Sequence, residues 1–257
     1  MFPYKDDNPT LRPPFMTVAF IAVTSLAWIG LQGAGMDPVL ARSVCRLGAI
    51  PGELLGTVPP GTVVPLSPTL GCELTGTPSW HTVVTSMFLH GGWFHLIGNM
   101  WFLWVFGNNV EDSMGHVRFT VFYLLCGVLA ALAQIFVSPG SAVPMVGASG
   151  AISGIMGAYL VLYPRVRVHL LVWFGFWLTT IAVPAYLMLA YWAFLQLLGG
   201  LPSLADAGQR GGVAFMAHLG GFVAGVTLIK LFARADLVEE HRRHIRALRT
   251  HGLESWG

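Results

Sequence analysis

Charge is scarce in this chain. Lys, Arg, Asp and Glu together make up 10% of its 257 residues, while 54% are hydrophobic. Soluble domains are about a quarter charged, so the composition excludes an ordinary water-exposed fold. Three runs, Phe15–Leu31, Phe119–Val137 and Phe215–Ile229, contain no Lys, Arg, Asp or Glu at all. Each is close to the roughly 20 residues a helix needs to cross about 30 Å of hydrocarbon. Apolar-polar alternation is also missing from these runs, which are about twice the length of a spanning strand, and this disfavours a membrane β-barrel. The first 14 residues hold Lys5, Asp6, Asp7, Arg12 and four prolines. They lack the basic start and short apolar core of a cleaved export signal, so the first apolar run is expected to remain as a helix. Only three cysteines occur, without metal-ligand spacing, and Cys126 falls inside an apolar run. Cys45 and Cys72 pair only if the segment carrying them faces an oxidising compartment. Phosphate loops, nucleic-acid modules and internal repeats are absent, so neither a cofactor nor a nucleic-acid partner is expected.

What is present reads as an all-α polytopic membrane protein, a bundle of six transmembrane helices with the lipid bilayer as its solvent. Residues 1–14 form a cytoplasmic N-terminal segment, 15–233 the membrane domain, and 234–257 a basic cytoplasmic tail, either a surface helix or a solvated end. Helix one is expected over Phe15–Gly33, followed by a long loop over 36–80 interrupted by Pro51, Pro59, Pro60, Pro65, Pro68 and Pro78. Ser79–Leu89 reads as a short interfacial helix. Helix two is expected over Trp93–Phe106, helix three over Arg118–Val137, helix four over Ser149–Tyr163, helix five over Pro184–Leu198 and helix six over Val213–Leu231, after Gly211 and Gly212. The run Val168–Leu198 admits one crossing or two short ones. Charge arbitrates: six helices put Lys5, Arg12, Arg118, Arg165, Arg167, Lys230 and the basic tail on one side, as the positive-inside tendency prefers. Val168–Val183 therefore belongs at the cytoplasmic face rather than in a crossing.

Polar residues inside such helices are expensive and mark function. Ser149 lies in Gly147-Ala148-Ser149-Gly150 at the head of helix four. Unpaired amides at a helix start are oriented to receive negative charge developing on a carbonyl oxygen. The plainer role for Ser149 is an N-cap, with Ser153 and Gly157 permitting close packing. His218 is followed by Gly221 and Gly225, three and seven residues on, a small-residue stripe that admits a neighbouring helix. If that neighbour presents Ser149, Ser153 and Gly157, hydroxyl and imidazole meet, and a neutral imidazole can take the serine proton. Neither run contains an acid, so this is a dyad rather than a triad. His95 and Asn99, four apart, share one helical face and can donate hydrogen bonds to an oxyanion, with His90 nearby. Helix-helix hydrogen bonding is their plainer role. Zinc held by His90, His95 and His218 is disfavoured, because the i, i+4 histidine pair and its intervening glutamate are missing.

Taken in order, Gly147-Ala148-Ser149-Gly150, Ala217-His218 with Gly221 and Gly225, and the stretch from His90-Gly91-Gly92 through His95 to Asn99 resemble the rhomboid intramembrane serine proteases. Phe106-Gly107, Val110-Glu111 and the opening Lys5-Asp6-Asp7-Asn8-Pro9, similar to many bacterial members, add to the likeness. The resemblance implies a rhomboid-like six-helix bundle in the plasma membrane with both termini cytoplasmic. It implies Ser149 as nucleophile and His218 as base, with His95, Asn99, His90 and Gly147 supporting the oxyanion. Helix five and the loop from Gly199 to Gly212 would gate entry of transmembrane protein substrates to a catalytically competent monomer. One departure is Trp80-His81, where some members carry Trp-Arg. A non-catalytic binder of transmembrane segments is the competing reading, and a small-molecule transporter is disfavoured by the missing repeat and intramembrane acid.

Overall fold

The computed structural model describes residues 2–66, 70–175, 177–205 and 214–250. Pro68, the glycines at 211 and 212, and the second half of the expected gating loop, 206–212, lie outside them, while its first half, 199–205, is helical. The chain is predominantly helical, in the order β1 (Phe2–Asp6), α1 (Phe15–Gly30), α2 (Val39–Leu47), α3 (Pro51–Leu54), β2 (Val63–Pro65), β3 (Gly71–Glu73), α4 (Thr82–Thr85) and α5 (Trp93–Met114). There follow α6 (His116–Val137), α7 (Ser149–Leu162), β4 (Arg167–Phe174), β5 (Trp177–Pro184), α8 (Ala185–Ala205), α9 (Phe215–Phe232) and α10 (Ala235–Thr250). Among the described residues two helices, α6 and α9, are long and apolar enough to cross a membrane, while α1, α7 and the Ala185–Leu201 part of α8 are apolar but shorter. Large side chains such as Phe15, Leu26, Phe94, Val117 and Phe136 stay exposed on the helix surfaces. So much exposed apolar surface suits lipid rather than water.

Helix α7 is the axle of the bundle. Every residue from Ala151 to Tyr159 is buried, with α6 and α9 packed against it along its length. Glycine makes this possible. An added Cβ at Gly221 would fall 2.0 Å from the Gly150 carbonyl oxygen, and one at Gly225 would fall 1.9 Å from that of Gly154. The α7 side of this contact is thus Gly150, Gly154 and Gly157, not the expected Ser149, Ser153 and Gly157. Ser153 instead donates from Oγ to the Ser149 carbonyl at 2.6 Å.

Four expectations are corrected. The fold is not all-α: β4 and β5 form an antiparallel hairpin, and β1 adds to β4 to complete a three-stranded sheet at the end of the bundle that holds both described termini. Residues 168–183 are therefore a hairpin outside the bundle. Helix α5 runs eight residues past Phe106 to Met114, because its polar last turns find partners. The long loop is structured, with α2, α3 and the β2–β3 pair tied together by a Cys45–Cys72 disulfide. It packs at the opposite end, where an isolated bridge joins Ala49 to Met145 just before α7. The expected interfacial helix at 79–89 is reduced to α4 and a 3₁₀ turn, Ser86–Phe88.

Candidate active site

The start of α7, the start of α5 and the start of α9 converge at the loop end of the bundle. Ser149 is the first residue of α7, so the amides around it lack intrahelical partners. Immediately before it, Gly147 adopts φ +131, and a Cβ there would sit 2.9 Å from both Cε1 and Nε2 of His95. Only glycine fits this backbone and leaves room for the imidazole. The Gly147 amide donates to the Ser86 carbonyl at 2.9 Å, anchoring the approach to α7 on the 3₁₀ turn.

Across the glycine contact, His218 stands in the first turn of α9. Its Nε2 lies 2.7 Å from Ser149 Oγ. That separation is a hydrogen bond of ordinary length. Two further side chains hold the imidazole. Gln196 of α8 places Oε1 2.8 Å from Nδ1, and the Trp192 ring lies with its centroid 6.0 Å from that of His218. Gln134 of α6 accepts from the Ala217 amide at 3.2 Å, giving a partner to one of the free amides that open α9.

Of the other sequence-derived residues, His95 is brought beside Gly147 and so borders the serine. Asn99 lies one turn along α5, buried, with Nδ2 donating to the His95 carbonyl at 2.8 Å. His90 is fully buried, and neither ring nitrogen has a hydrogen-bond partner among the described residues. Its ring meets that of His95 edge-on at 5.0 Å. Gln32, just after α1, clamps the His90 backbone from both sides, donating to its carbonyl at 2.7 Å and accepting from its amide at 2.8 Å. Gln32, Gln134 and Gln196 are absent from the sequence-derived set. Each is an amide within or beside an apolar run, and that burial cost was the available signal.

Comparisons with known proteins agree on one family. The Rhomboid domain matches residues 77–235, more than half of the chain and all of the residues just described apart from Gln32. The chain is 44% identical over 78 residues to Rhomboid-like protein 11, chloroplastic, of Arabidopsis thaliana, covering 30% of this chain and 28% of that one. It is 39% identical over 88 residues to Rhomboid protease GluP of Bacillus subtilis, covering 34% and 17%. With Rhomboid protein 1, mitochondrial, of Saccharomyces cerevisiae it shares 26% identity over 170 residues, covering 63% and 44%. The chain thus spans less than half the length of each of these relatives. Because they come from a chloroplast, a bacterium and a mitochondrion, they do not single out a bacterial subtype.

Proposed function

The chain belongs to the rhomboid family, and from that premise we propose that it is an intramembrane serine endopeptidase hydrolysing peptide bonds in or near transmembrane segments of other proteins. The observation that carries this reading is the 2.7 Å separation of Ser149 Oγ and His218 Nε2 across the α7–α9 contact. As Ser149 Oγ bonds to the scissile carbonyl carbon, its proton passes to Nε2. The carbonyl oxygen gathers negative charge beside the free amides that open α7, with the His95 ring next to Gly147 as a further donor and Asn99 and His90 holding that wall. The imidazolium then protonates the leaving amine, and water delivered to the same base releases the acyl group from Ser149. No cofactor enters these steps.

A peptide bond in a substrate helix is shielded by its own hydrogen bonds, and unwinding it in lipid would strand polar groups. A half-buried site at the loop end of the bundle lowers that cost by admitting water. In the reading adopted here, residues 15–233 are a six-span membrane domain and one copy suffices for catalysis. Segments 1–14 and 234–257 are cytoplasmic, and the protein is a bacterial-type member in the plasma membrane. Two features support that orientation. The disulfide lies at the site end, as an oxidising compartment requires, and Lys5, Arg12, Arg118, Arg165, Arg167 and Lys230 belong to the other end.

The test is cleavage of a single-helix substrate by purified protein in liposomes. Ser149→Ala is expected to lower turnover at least about a thousand-fold with the melting temperature unchanged, and a chelator should leave the wild-type rate intact. Cleavage that survives Ser149→Ala would move the nucleophile elsewhere. A wild type that binds the helix without cutting it would make the protein a binder of transmembrane segments.

A further inference from the structure

A serine-histidine pair leaves one nitrogen of the imidazole to be accounted for. His218 Nδ1 faces away from Ser149, and no carboxylate lies on α7 or α9 to receive it. A neutral imidazole exchanges between two tautomers, and only the one protonated at Nδ1 offers a lone pair at Nε2 for the serine proton. Something must therefore select the tautomer. We propose that Gln196 of α8 is that residue, a positioning residue that holds His218 in its reactive tautomer and orients its ring. The proposal rests on the serine-protease reading above and extends it from two side chains to three.

The geometry supports the assignment from both sides of the ring. Gln196 Oε1 lies 2.8 Å from Nδ1 while Ser149 Oγ lies 2.7 Å from Nε2. A carbonyl oxygen can only accept, so the proton belongs to Nδ1, and Nε2 accepts from the serine hydroxyl. When Nε2 takes that proton, the Nδ1–H bond stays intact and the positive charge spreads over both nitrogens. The Oε1 end of the amide dipole then faces a cation, and the hydrogen bond strengthens as the reaction proceeds. Glutamine brings no net charge, which suits a partly buried position where an unpaired carboxylate would be costly. Trp192, one helical turn before Gln196, lies beside the same ring and packs on Phe222 of α9, so α8 supplies both a polar and a flat contact.

The location has a consequence. Helix α8 sits at the edge of the bundle, with Tyr191, Phe194, Leu195, Leu197 and Leu198 exposed around Gln196. The base is thus oriented by a helix whose outer face is exposed. Any movement of α8 away from α9 removes the acceptor from Nδ1, and the site is assembled only while α8 is seated.

The experiment uses the full-length protein in liposomes with the single-helix substrate, comparing wild type, Gln196→Leu and Gln196→Glu. Leu removes the acceptor at similar size, and Glu restores a carbonyl oxygen. For Gln196→Leu we expect kcat to fall roughly 10- to 100-fold, the range for losing a hydrogen bond to a charged group, with KM and melting temperature near wild type. Gln196→Glu should recover most of that loss. Equal kcat in wild type and Gln196→Leu, or a Glu variant as slow as the Leu variant, would overturn the proposal. Nitrogen-15 NMR of His218 in the wild type supplies a readout independent of turnover: a neutral ring protonated at Nδ1 is expected, and protonation at Nε2 overturns the assignment. If the wild type cleaves nothing, the protease reading fails, while the NMR result still decides the role of Gln196.

Discussion

At Gly225 one methyl group decides whether two helices can touch. Its Cα faces the backbone of α7 so closely that an added Cβ would lie 1.9 Å from the Gly154 carbonyl oxygen and 2.6 Å from its carbon. Backbone atoms cannot swing aside as the end of a side chain can, so Gly225→Ala must push α9 away from α7. Overpacking of this kind costs about 1–3 kcal/mol. Because His218 lies two turns earlier on α9, the Ser149–His218 hydrogen bond should lengthen and turnover fall with stability. Gly98, on α5, is the control: nothing lies within 4 Å of its added Cβ, and Ala is the better helix former by roughly 1 kcal/mol. We therefore expect Gly225→Ala to lower the melting temperature in detergent and Gly98→Ala to leave it unchanged or raise it; equal curves would refute the close-contact account. The glycines on α9 were legible from their three- and four-residue spacing. Their partners on α7 were not, because Ser149-Ser153-Gly157 and Gly150-Gly154-Gly157 are both small-residue stripes, and periodicity alone does not choose between adjacent faces.

Among the elements, α5 was read too short and the hairpin was not read at all, for related reasons. Asn108, Asn109, Glu111 and Asp112 look like the end of a helix in an apolar chain, yet α5 continues through them because each of the last three meets a distant segment. Asn109 Nδ2 donates to Asp6 at 3.1 Å, and Asp112 accepts from the Leu11 amide at 3.0 Å and from Arg12 at 3.1 Å. Glu111 has the largest structural role. Helix α1 follows Pro14 and has no side-chain cap of its own; its Met16 and Thr17 amides both donate to Glu111 at 2.8 Å, and the Thr17 hydroxyl adds a bond at 2.7 Å. A carboxylate from α5 thus caps the start of α1, where negative charge is favoured. Glu111→Gln keeps the shape but turns one acceptor oxygen into a donor facing donors. We expect a loss of roughly 2–3 kcal/mol, seen as a lower melting temperature, and no change would show the cap to be dispensable. The hairpin escaped detection because Val168–Val183 is a nearly continuous apolar run, which periodicity cannot divide between strand and helix. The one local sign of a turn was Gly175, now seen at φ +57.

Across the whole molecule, the bundle has one end that carries the candidate site and a stapled end, and the stapled end joins parts of the chain that lie far apart in sequence. The N-terminal segment was read as cytoplasmic and the tail as a surface helix or a solvated end, with no contact between them foreseen. Instead β1 pairs with β4, Arg12 bridges Asp112 to Glu240 of α10, and His241 of α10 meets Asn8 at 2.8 Å. Contacts spanning 100 to more than 200 residues leave no local trace in a sequence. The polar residues at the candidate-site end stood out in the sequence because each is unusual within an apolar helix. The stapled end makes a pH dependence testable. Asp6, the last residue of β1, sits partly buried beside the Tyr159 hydroxyl and Asn109, and desolvation pushes its carboxyl up from 3.8 to about 7, outweighing the hydrogen bond from Tyr159. The folded protein therefore holds the Asp6 proton more tightly than the unfolded chain does. Between about pH 4 and 7 the native state binds the extra proton, so the Asp6 contribution to stability falls as pH rises, by at most about 1.4 kcal/mol per pH unit. The contribution is fully present below the lower value and gone above the upper one. Asp6→Asn keeps a neutral side chain of the same shape at every pH. Melting temperatures measured from pH 4 to 8 in detergent should decline more steeply for the wild type than for Asp6→Asn, with the two curves diverging toward neutral pH. Parallel curves would mean that the N-terminal strand is not docked over a buried carboxyl in solution.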